Sequence, residues 1–396
     1  MDEGQGMALA PMTQMEETMQ IEDVRKKIDE TDDQILELFL QRMDCAGQIA
    51  ELKRENSAPV LDKTREREIL KKVREKAGDK ERYANSVYNT ILSVSRAYQN
   101  SILQPKGTVN EVIDAALANR RDVFPQTGMI ACPGVEGSFS QMATDRMFPR
   151  GNIMYVDSFE AVFDSVKGGL CDFGVVPIEN SSNGSVRAVY ELLEEKQAYI
   201  VRSERLFVRH ELLAKPGTRL EDIKTVCSHE QAIGQCSRFL SSLDGVEVER
   251  ASSTSEAVKR VGESDEKGLA AIGSHVSGEL YGLAPVSNDI QNSDNNYTRF
   301  ICIAREPCIY PGANRISLVL TCKHQPGSLY EVLGKFAALG INLLKLESYP
   351  IVGHDFDFMF YFDLEASVRE EGIPEMLADL ENDTESLVFL GNYAEV

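Results

Sequence analysis

From Ile21 the chain places apolar side chains at alternating steps of three and four. Val24, Ile28, Thr31, Ile35, Leu38, Arg42, Cys45, Ile49 and Leu52 fall on one stripe, and no proline interrupts it before Pro59. This spacing predicts a single helix with a heptad seam. At 1.5 Å per residue the helix is about 55 Å long, too long to bury its seam within a domain of under about 100 residues. It therefore needs a partner, most simply the same helix of a second chain. A second helix is predicted over about 62–77, with Asp62 as its N-cap, and a third over about 80–103. The stripe of the third runs Tyr88, Leu92, Ser95, Gln99 and Ile102, so two neutral hydrogen-bonding residues sit on an otherwise apolar face.

Beyond residue 104 the period changes. Residues 105–127 carry Pro105, Gly107 and Pro125 around a short helical stretch and read as an interdomain connector. From Met129 to Arg305, short apolar runs alternate with helical segments, which predicts an α/β domain with largely parallel sheets over 128–306. Two of these runs end in clusters of small polar residues, IENSSNGSV and SHEQAIGQC. Such clusters suit the carboxyl ends of strands, where open α/β sheets bind ligands, and the second opens a helix whose N terminus attracts a carboxylate. Residues 314–396 read strand, helix, strand, strand, helix, strand, the ferredoxin-like order of an α+β domain.

Composition narrows the function. The net charge of −21 argues against a nucleic-acid or membrane-surface partner, which would need basic patches. Residues 15–105 hold 18 acidic and 16 basic side chains, leaving −19 to the rest, so a small anion is best received in the helical part. Eight scattered cysteines without a CxxC pair predict a reduced compartment, with neither a disulfide framework nor a zinc site. The five histidines lack metal-ligand spacing, and no metal or cofactor is expected. The start of the chain is acidic and lacks a signal-peptide core, residues 1–14 are expected to be disordered, and no apolar run approaches the ~20 residues of a membrane span. A cytoplasmic enzyme is the expectation.

Arg42 lies on the seam itself, where an unpaired guanidinium is costly, so it requires an anionic partner or serves to fix the register. Lys53, eleven positions on, projects within about 20° of the same face and ~16 Å further along the axis. Arg25 is ~25 Å away in the other direction, too far to share a small ligand with Arg42 in one chain, whereas an antiparallel second chain would bring its own Arg25 alongside.

The segments VRKKID, LQRMDCA, IAELKREN and PVLDKTREREIL, with their spacings over about 18–103, resemble the all-helical class of chorismate mutase. The resemblance implies that Arg25 of a neighbouring chain, Arg42 and Arg65 grip the substrate carboxylates and hydroxyl region. Lys53 and Gln99 would donate to the ether oxygen, while Asp62, Glu66 and Ser95 fix the ring hydroxyl and nearby backbone. Those residue types suit a unimolecular rearrangement that needs a held conformer and stabilisation of charge growing on one oxygen.

GVEGSFSQMA, IENSSNGSV, SHEQAIGQC, SSTSEAV and NYTRF, in this order, resemble the prephenate dehydratase family, which has two α/β lobes around a cleft, similar to periplasmic binding proteins. By resemblance Thr298 hydrogen-bonds or protonates the departing ring hydroxyl, with Asn180, Ser181, Ser228 and Gln235 completing the network. Arg299 is either the partner of a substrate carboxylate or a structural ion pair. The chain departs from the family at Glu230, usually proline, at Gln141, often histidine, and at Ser252, an acid in some relatives.

QPGSLYEVL and GINLLKLESYP resemble the amino-acid-sensing ACT domain. This implies phenylalanine binding between paired tails near Gly327, Ser328, Leu329, Asn342, Glu347 and Ser348. Tyr349 stands where that motif usually has arginine. The expected whole is a homodimer or higher homo-oligomer that acts on chorismate and prephenate, with phenylalanine as effector. The competing classes are a dehydratase with a purely dimerising segment, which leaves Arg42, Lys53 and Gln99 without purpose, and a non-catalytic sensor, which would not need Thr298.

Overall fold

The computed structural model describes residues 21–56, 58–103, 107–351 and 358–396. The stretch 1–14, expected to be disordered, lies outside them. The chain divides into two compact units, residues 1–105 and 106–396.

The first unit is all-helical: α1 (Ile21–Asn56), α2 (Lys63–Ala77) and α3 (Glu81–Leu103). Asp62 caps α2 by accepting the Arg65 backbone N–H at 2.9 Å. The C-terminal half of α1 packs on α3 through Ala46 and Ala50, which meet a face carrying Leu92, Ser95 and Gln99. The N-terminal half is different. Ile21, Ile28, Ile35 and Leu38 are each more than half exposed, although burying one such side chain is worth ~1.5–3 kcal/mol.

The second unit opens with α4 (Thr108–Ala118) and then alternates through β1 (Met129–Pro133), α5 (Phe139–Met147), β2 (Asn152–Val156), α6 (Phe159–Lys167) and β3 (Phe173–Asn180). The short β4 (Gly184–Ser185), α7 (Arg187–Lys196) and β5 (Tyr199–Phe207) complete the outward half of one lobe. The chain crosses to a second lobe at 208–210. There it forms β6 (Glu211–Ala214), β7 (Thr225–His229), α8 (Glu230–Gln235), α9 (Ser237–Leu240), β8 (Glu247–Ala251), α10 (Thr254–Glu263), β9 (Leu269–Gly273), α11 (His275–Leu280) and β10 (Ala284–Ser287). It returns to the first lobe as β11 (Tyr297–Ala304). The last stretch is β12 (Arg315–Thr321), α12 (Ser328–Ala338), β13 (Asn342–Pro350), β14 (Phe358–Glu365), α13 (Ile373–Asp383) and β15 (Ser386–Glu395).

The second lobe has the strand order β10-β6-β9-β7-β8. Its sheet and that of the first lobe are mixed, not largely parallel as expected. β6 and β11, each the first strand laid down after a crossing between lobes, run antiparallel to their neighbours.

The first lobe and the C-terminal stretch are not separate bodies. One sheet runs β13-β14-β12-β15-β5-β11-β3-β1-β2, joined where Ala394 and Glu395 of β15 pair in parallel with Arg202 and Ser203 of β5. Strict alternation on β12 gives its sheet two buried faces. Ile316, Leu318 and Leu320 pack with Val332, Phe336 and Leu377 of α12 and α13, while Val319 faces Tyr190 of α7. Of residues 105–127, expected to form a connector, 105 and 106 lie outside the described residues, and the stretch from α4 to Phe124 is built into these cores. Val109, Ile113 and Ala116 of α4 are buried in the C-terminal cluster, and Glu381 of α13 accepts the Val109 N–H at 3.2 Å and the Thr108 hydroxyl. Phe124 packs on Phe148 and Tyr310 of the first lobe. The α4 stripe has a 3-4 spacing, so this stretch is an amphipathic element and not a tether.

Candidate active sites

In the helical unit, Arg42 and Lys53 project from α1 toward two residues one turn apart on α3. Arg42 donates to the Ser95 hydroxyl and to the Ile91 carbonyl at 3.5 Å. Lys53 Nζ donates to Gln99 Oε1 at 3.1 Å and to the Val60 carbonyl. Gln99 is held in turn by its Nε2 donating to the Ser95 carbonyl at 3.2 Å. Burial lowers the Lys53 pKa from its ordinary value, against the opposing pull of Asp62 and Glu66. Glu66 accepts from Arg96 at 2.6 Å. Arg65 is exposed beside Glu68, and Arg25 is exposed on the uncovered half of α1, 3.8 Å from Glu22. Two cations thus meet two neutral acceptors, the Ser95 hydroxyl and the Gln99 Oε1, within one chain, and Arg25 does not join them.

In the second unit, the ends of β3 and β11 bring the polar clusters together. Thr298 and Asn180 are direct partners across the strand pair, and Asn180 Nδ2 donates to Thr298 Oγ1 at 2.9 Å. Because that oxygen already accepts, the Thr298 proton is free to be donated elsewhere. Asn180 Nδ2 also lies 3.0 Å from Asn296 Oδ1 and 3.2 Å from the Tyr297 carbonyl, and its Oδ1 accepts the Ser182 and Asn183 N–H groups. Gln235, at the end of α8 in the other lobe, accepts from Asn296 at 2.9 Å and from His210 Nε2 at 2.9 Å. Its Nε2 reaches Asn180 Oδ1 at 3.4 Å. Because Gln235 Oε1 accepts, His210 Nε2 is the donor in this pair, and burial lowers the His210 pKa against the raising effect of Gln235, which favours the neutral ring.

A cavity of about 420 Å³ opens on this network between Ser182, Asn183, Gln231, Gln235, Gln291 and Asn296. A hollow of about 490 Å³ between residues 119–127 and the first lobe holds none of the candidate residues.

Other candidates are placed differently. Ser181 ties the loop to β11, donating to the Asn295 carbonyl at 2.7 Å and accepting the Tyr297 N–H at 2.9 Å. Ser228 is fully buried and donates to the Ile272 carbonyl at 2.8 Å. At α8, expected to greet a carboxylate, the His229 side chain accepts the Gln231 N–H at 3.3 Å. Arg299 resolves the choice left open by sequence in favour of a structural ion pair, with Asp363 of β14 at 2.6 Å and Glu179 at 3.3 Å. Burial opposes its charge, yet Asp363 and the groups around it hold its pKa well above the ordinary value. His210 and Asn296 were not singled out from sequence. Asn296 stands in the quoted NYTRF run, and His210 at a break between two apolar runs, the mark of a crossing between lobes.

The match to known proteins follows this division. The chorismate mutase type II family model matches residues 24–100, and the prephenate dehydratase model matches 130–308. The bifunctional chorismate mutase/prephenate dehydratase of Escherichia coli (strain K12) is 31% identical over 379 residues, 93% of this chain and 95% of its own. The chain belongs to that bifunctional family. It rearranges chorismate to prephenate and converts prephenate to phenylpyruvate. The arogenate dehydratase/prephenate dehydratase 2 of Arabidopsis thaliana, a chloroplastic protein, is 35% identical over 328 residues, 79% of this chain and 84% of its own. The solved prephenate dehydratase of Arthrobacter aurescens in complex with L-Phe superposes with a TM-score of 0.61 at 28% identity, covering 67% of this chain and 89% of that one.

The mutase and dehydratase thus occupy separate units. Gly327, in a left-handed conformation, precedes α12; Ser328 donates to the Lys323 carbonyl at 2.7 Å, and Leu329 packs on the C-terminal core. Asn342 donates to Glu365 at 2.9 Å, and Ser348 is exposed on β13. Glu347 points the other way. It accepts from Ser185 of the dehydratase loop, from Tyr349 at 2.6 Å and from Lys345 at 3.1 Å. Burial raises its pKa, but these donors outweigh burial and lower it.

Among the described residues no cluster of His, Cys, Asp or Glu could hold a metal, and no helix is long and apolar enough to cross a membrane.

Proposed function

We propose that the two activities run at separate sites of a cytoplasmic homo-oligomer whose mutase sites are each shared by two chains. In this reading Arg42 and Arg65, with Arg25 of a neighbouring chain, bind the chorismate carboxylates and hydroxyl region. Lys53 and Gln99 face the ether oxygen, where charge accumulates as the C–O bond breaks, and Asp62, Glu66 and Ser95 hold the ring hydroxyl and the cations. The observation that carries it is the uncovered apolar half of α1, which bears Arg25 on the same exposed stretch.

At the dehydratase site the carboxylate leaves as CO₂, its C–C electron pair enters the ring, and the ring hydroxyl departs as water with an added proton. Thr298 is oriented by Asn180 to donate toward that hydroxyl, while Asn296, Gln235 and His210 hold Asn180 in place. A threonine is too weak an acid to be a tuned general acid, so it works as an oriented donor.

The domains in this reading span 15–104 for the mutase, 128–306 for the dehydratase and 314–396 for an ACT regulatory domain. Phenylalanine is the proposed inhibitor, bound near Gly327, Ser328, Leu329, Asn342, Glu347 and Ser348 between paired tails. Exposed Tyr330, Leu344 and Leu346 near these positions give a second tail an apolar surface to cover. Chorismate loss and phenylpyruvate formation, followed separately in the purified protein with and without phenylalanine, test the whole. Phenylalanine should slow the second rate, and rates indifferent to it would remove the regulatory assignment.

A further inference from the structure

The two catalytic partners Asn180 and Thr298 are followed, on the same two strands, by a second cross-strand pair. Arg299 lies opposite Glu179, and successive strand residues face opposite sides of the sheet. Phe300 and Cys302, on the Thr298 side of β11, enter one core, while Ile301 and Ile303, on the Arg299 side, enter another that includes Val319, Tyr361 and Tyr393 of the C-terminal strands. The register of β3 against β11 shifts between Arg299 and Phe300, leaving Ile178 as the extra residue. That bulge lets Glu179 face the same side as Ile178, next to Arg299.

What meets this second pair comes from the C-terminal domain. Asp363 lies on β14 and three strands separate it from β11 in the sheet order, a distance of about 19 Å in a flat sheet. Its carboxylate nonetheless lies 2.6 Å from the Arg299 guanidinium, so the sheet curls until its C-terminal part folds over the first lobe. Both side chains are almost fully buried. Asp363 is itself aimed: Ser317 donates to its other oxygen at 2.5 Å, and Tyr393 lies 2.7 Å from the Ser317 hydroxyl. Lys345 of β13 completes the grip, 3.4 Å from Glu179 and in contact with Ser185 of the loop that follows Asn180.

We propose that Asp363 is a positioning residue of the dehydratase reaction, holding Arg299 on one face of the β3–β11 pair whose other face presents Asn180 and Thr298. The inference rests on the dehydratase assignment of that pair and adds that the C-terminal domain is part of the machinery that sets it. A buried ion pair released at Arg299 lets the strand shift where Thr298 begins, and displacements of about 1 Å cost on the order of 100-fold in rate. Substrate contacts are unchanged, so turnover falls and affinity does not.

The experiment uses the full chain. Asp363→Asn should lower the dehydratase kcat about tenfold or more, leave KM within about threefold, and leave the mutase rate at the wild-type value. Asp363→Glu, which restores the charge, should recover part of that kcat. A folded Asp363→Asn protein with kcat within about twofold of wild type overturns the proposal, as does a rise in KM at constant kcat, which would mark a binding role. If Asp363→Asn fails to fold, Ser317→Ala is read by the same split, because it frees the carboxylate without removing its charge. An unchanged kcat there overturns the proposal, and a fall supports it. Wild-type phenylpyruvate formation is measured alongside, so a failure of the dehydratase assignment is seen independently.

Discussion

Lys53→Met removes the ammonium proposed to face the breaking ether bond while keeping the length and apolar stem of the side chain. Two costs follow from the geometry. The Gln99 Oε1 and Val60 carbonyl lose their shared donor in a half-buried setting, which destabilises the helical unit by about 1 kcal/mol each. The larger effect is on rate, since removing one donor aimed at a developing oxyanion costs roughly 10²–10³ in kcat, about 2.7–4 kcal/mol. Chorismate disappearance is the assay, with thermal unfolding to separate the two costs. The pH profile supplies an independent readout. Only protonated Lys53 offers a positively charged donor to the developing oxyanion, so mutase kcat/KM should hold at low and neutral pH and fall as pH rises through its pKa. Burial places that pKa below the ordinary 10.5, so the alkaline fall comes early, and it should be absent in Lys53→Met. A Lys53→Met protein within about fivefold of the wild-type kcat would refute this role.

Thr298→Val keeps the branched shape and leaves Asn180 Nδ2 its other acceptors, so stability should change by about 1 kcal/mol or less while phenylpyruvate formation drops on the order of 100-fold. Mixing Arg25→Ala and Arg42→Ala chains, each inactive as a mutase, should restore roughly a quarter of wild-type activity, because half of randomly re-formed pairs are mixed and each has one intact site. No recovery after unfolding and joint refolding would place both arginines in the same chain's site. His210 is held neutral in the fold with its pKa below the unfolded value of about 6.5, so its contribution is intact above that pH and stability is lost as pH falls below it. His210→Gln should flatten that acid loss in a denaturant series at pH 7 and pH 5, and an unchanged slope would show that His210 is not its source.

How much of this was legible in the sequence depended on how local the information was. The helical unit announced itself, because period, cap and the misplaced Arg42 all lie within one or two helices. The proposal that its site is shared by two chains is also a local reading, since Arg25 and Arg42 sit on one rigid rod at a fixed distance. The dehydratase network was half legible. Asn180, Gln235 and Thr298 lie in recognisable runs, but their meeting depends on two crossings between lobes, and His210 and Asn296 matter only through contacts that no local pattern encodes. Ser228 shows the reverse, a polar residue in a promising run whose hydroxyl turns into the core. The continuous sheet was not legible at all. It hangs on a two-residue parallel pairing at Ala394 and Glu395, and the roles of Arg299 and Glu347 follow from the curl that this pairing permits.

The most direct test of two separate sites in one chain is the pair of rates in two variants, Arg42→Ala and Thr298→Ala, with chorismate and prephenate supplied separately. Separate sites predict that Arg42→Ala loses chorismate consumption and still dehydrates prephenate, while Thr298→Ala does the reverse. Loss of both activities in either variant, with folding intact, would contradict it.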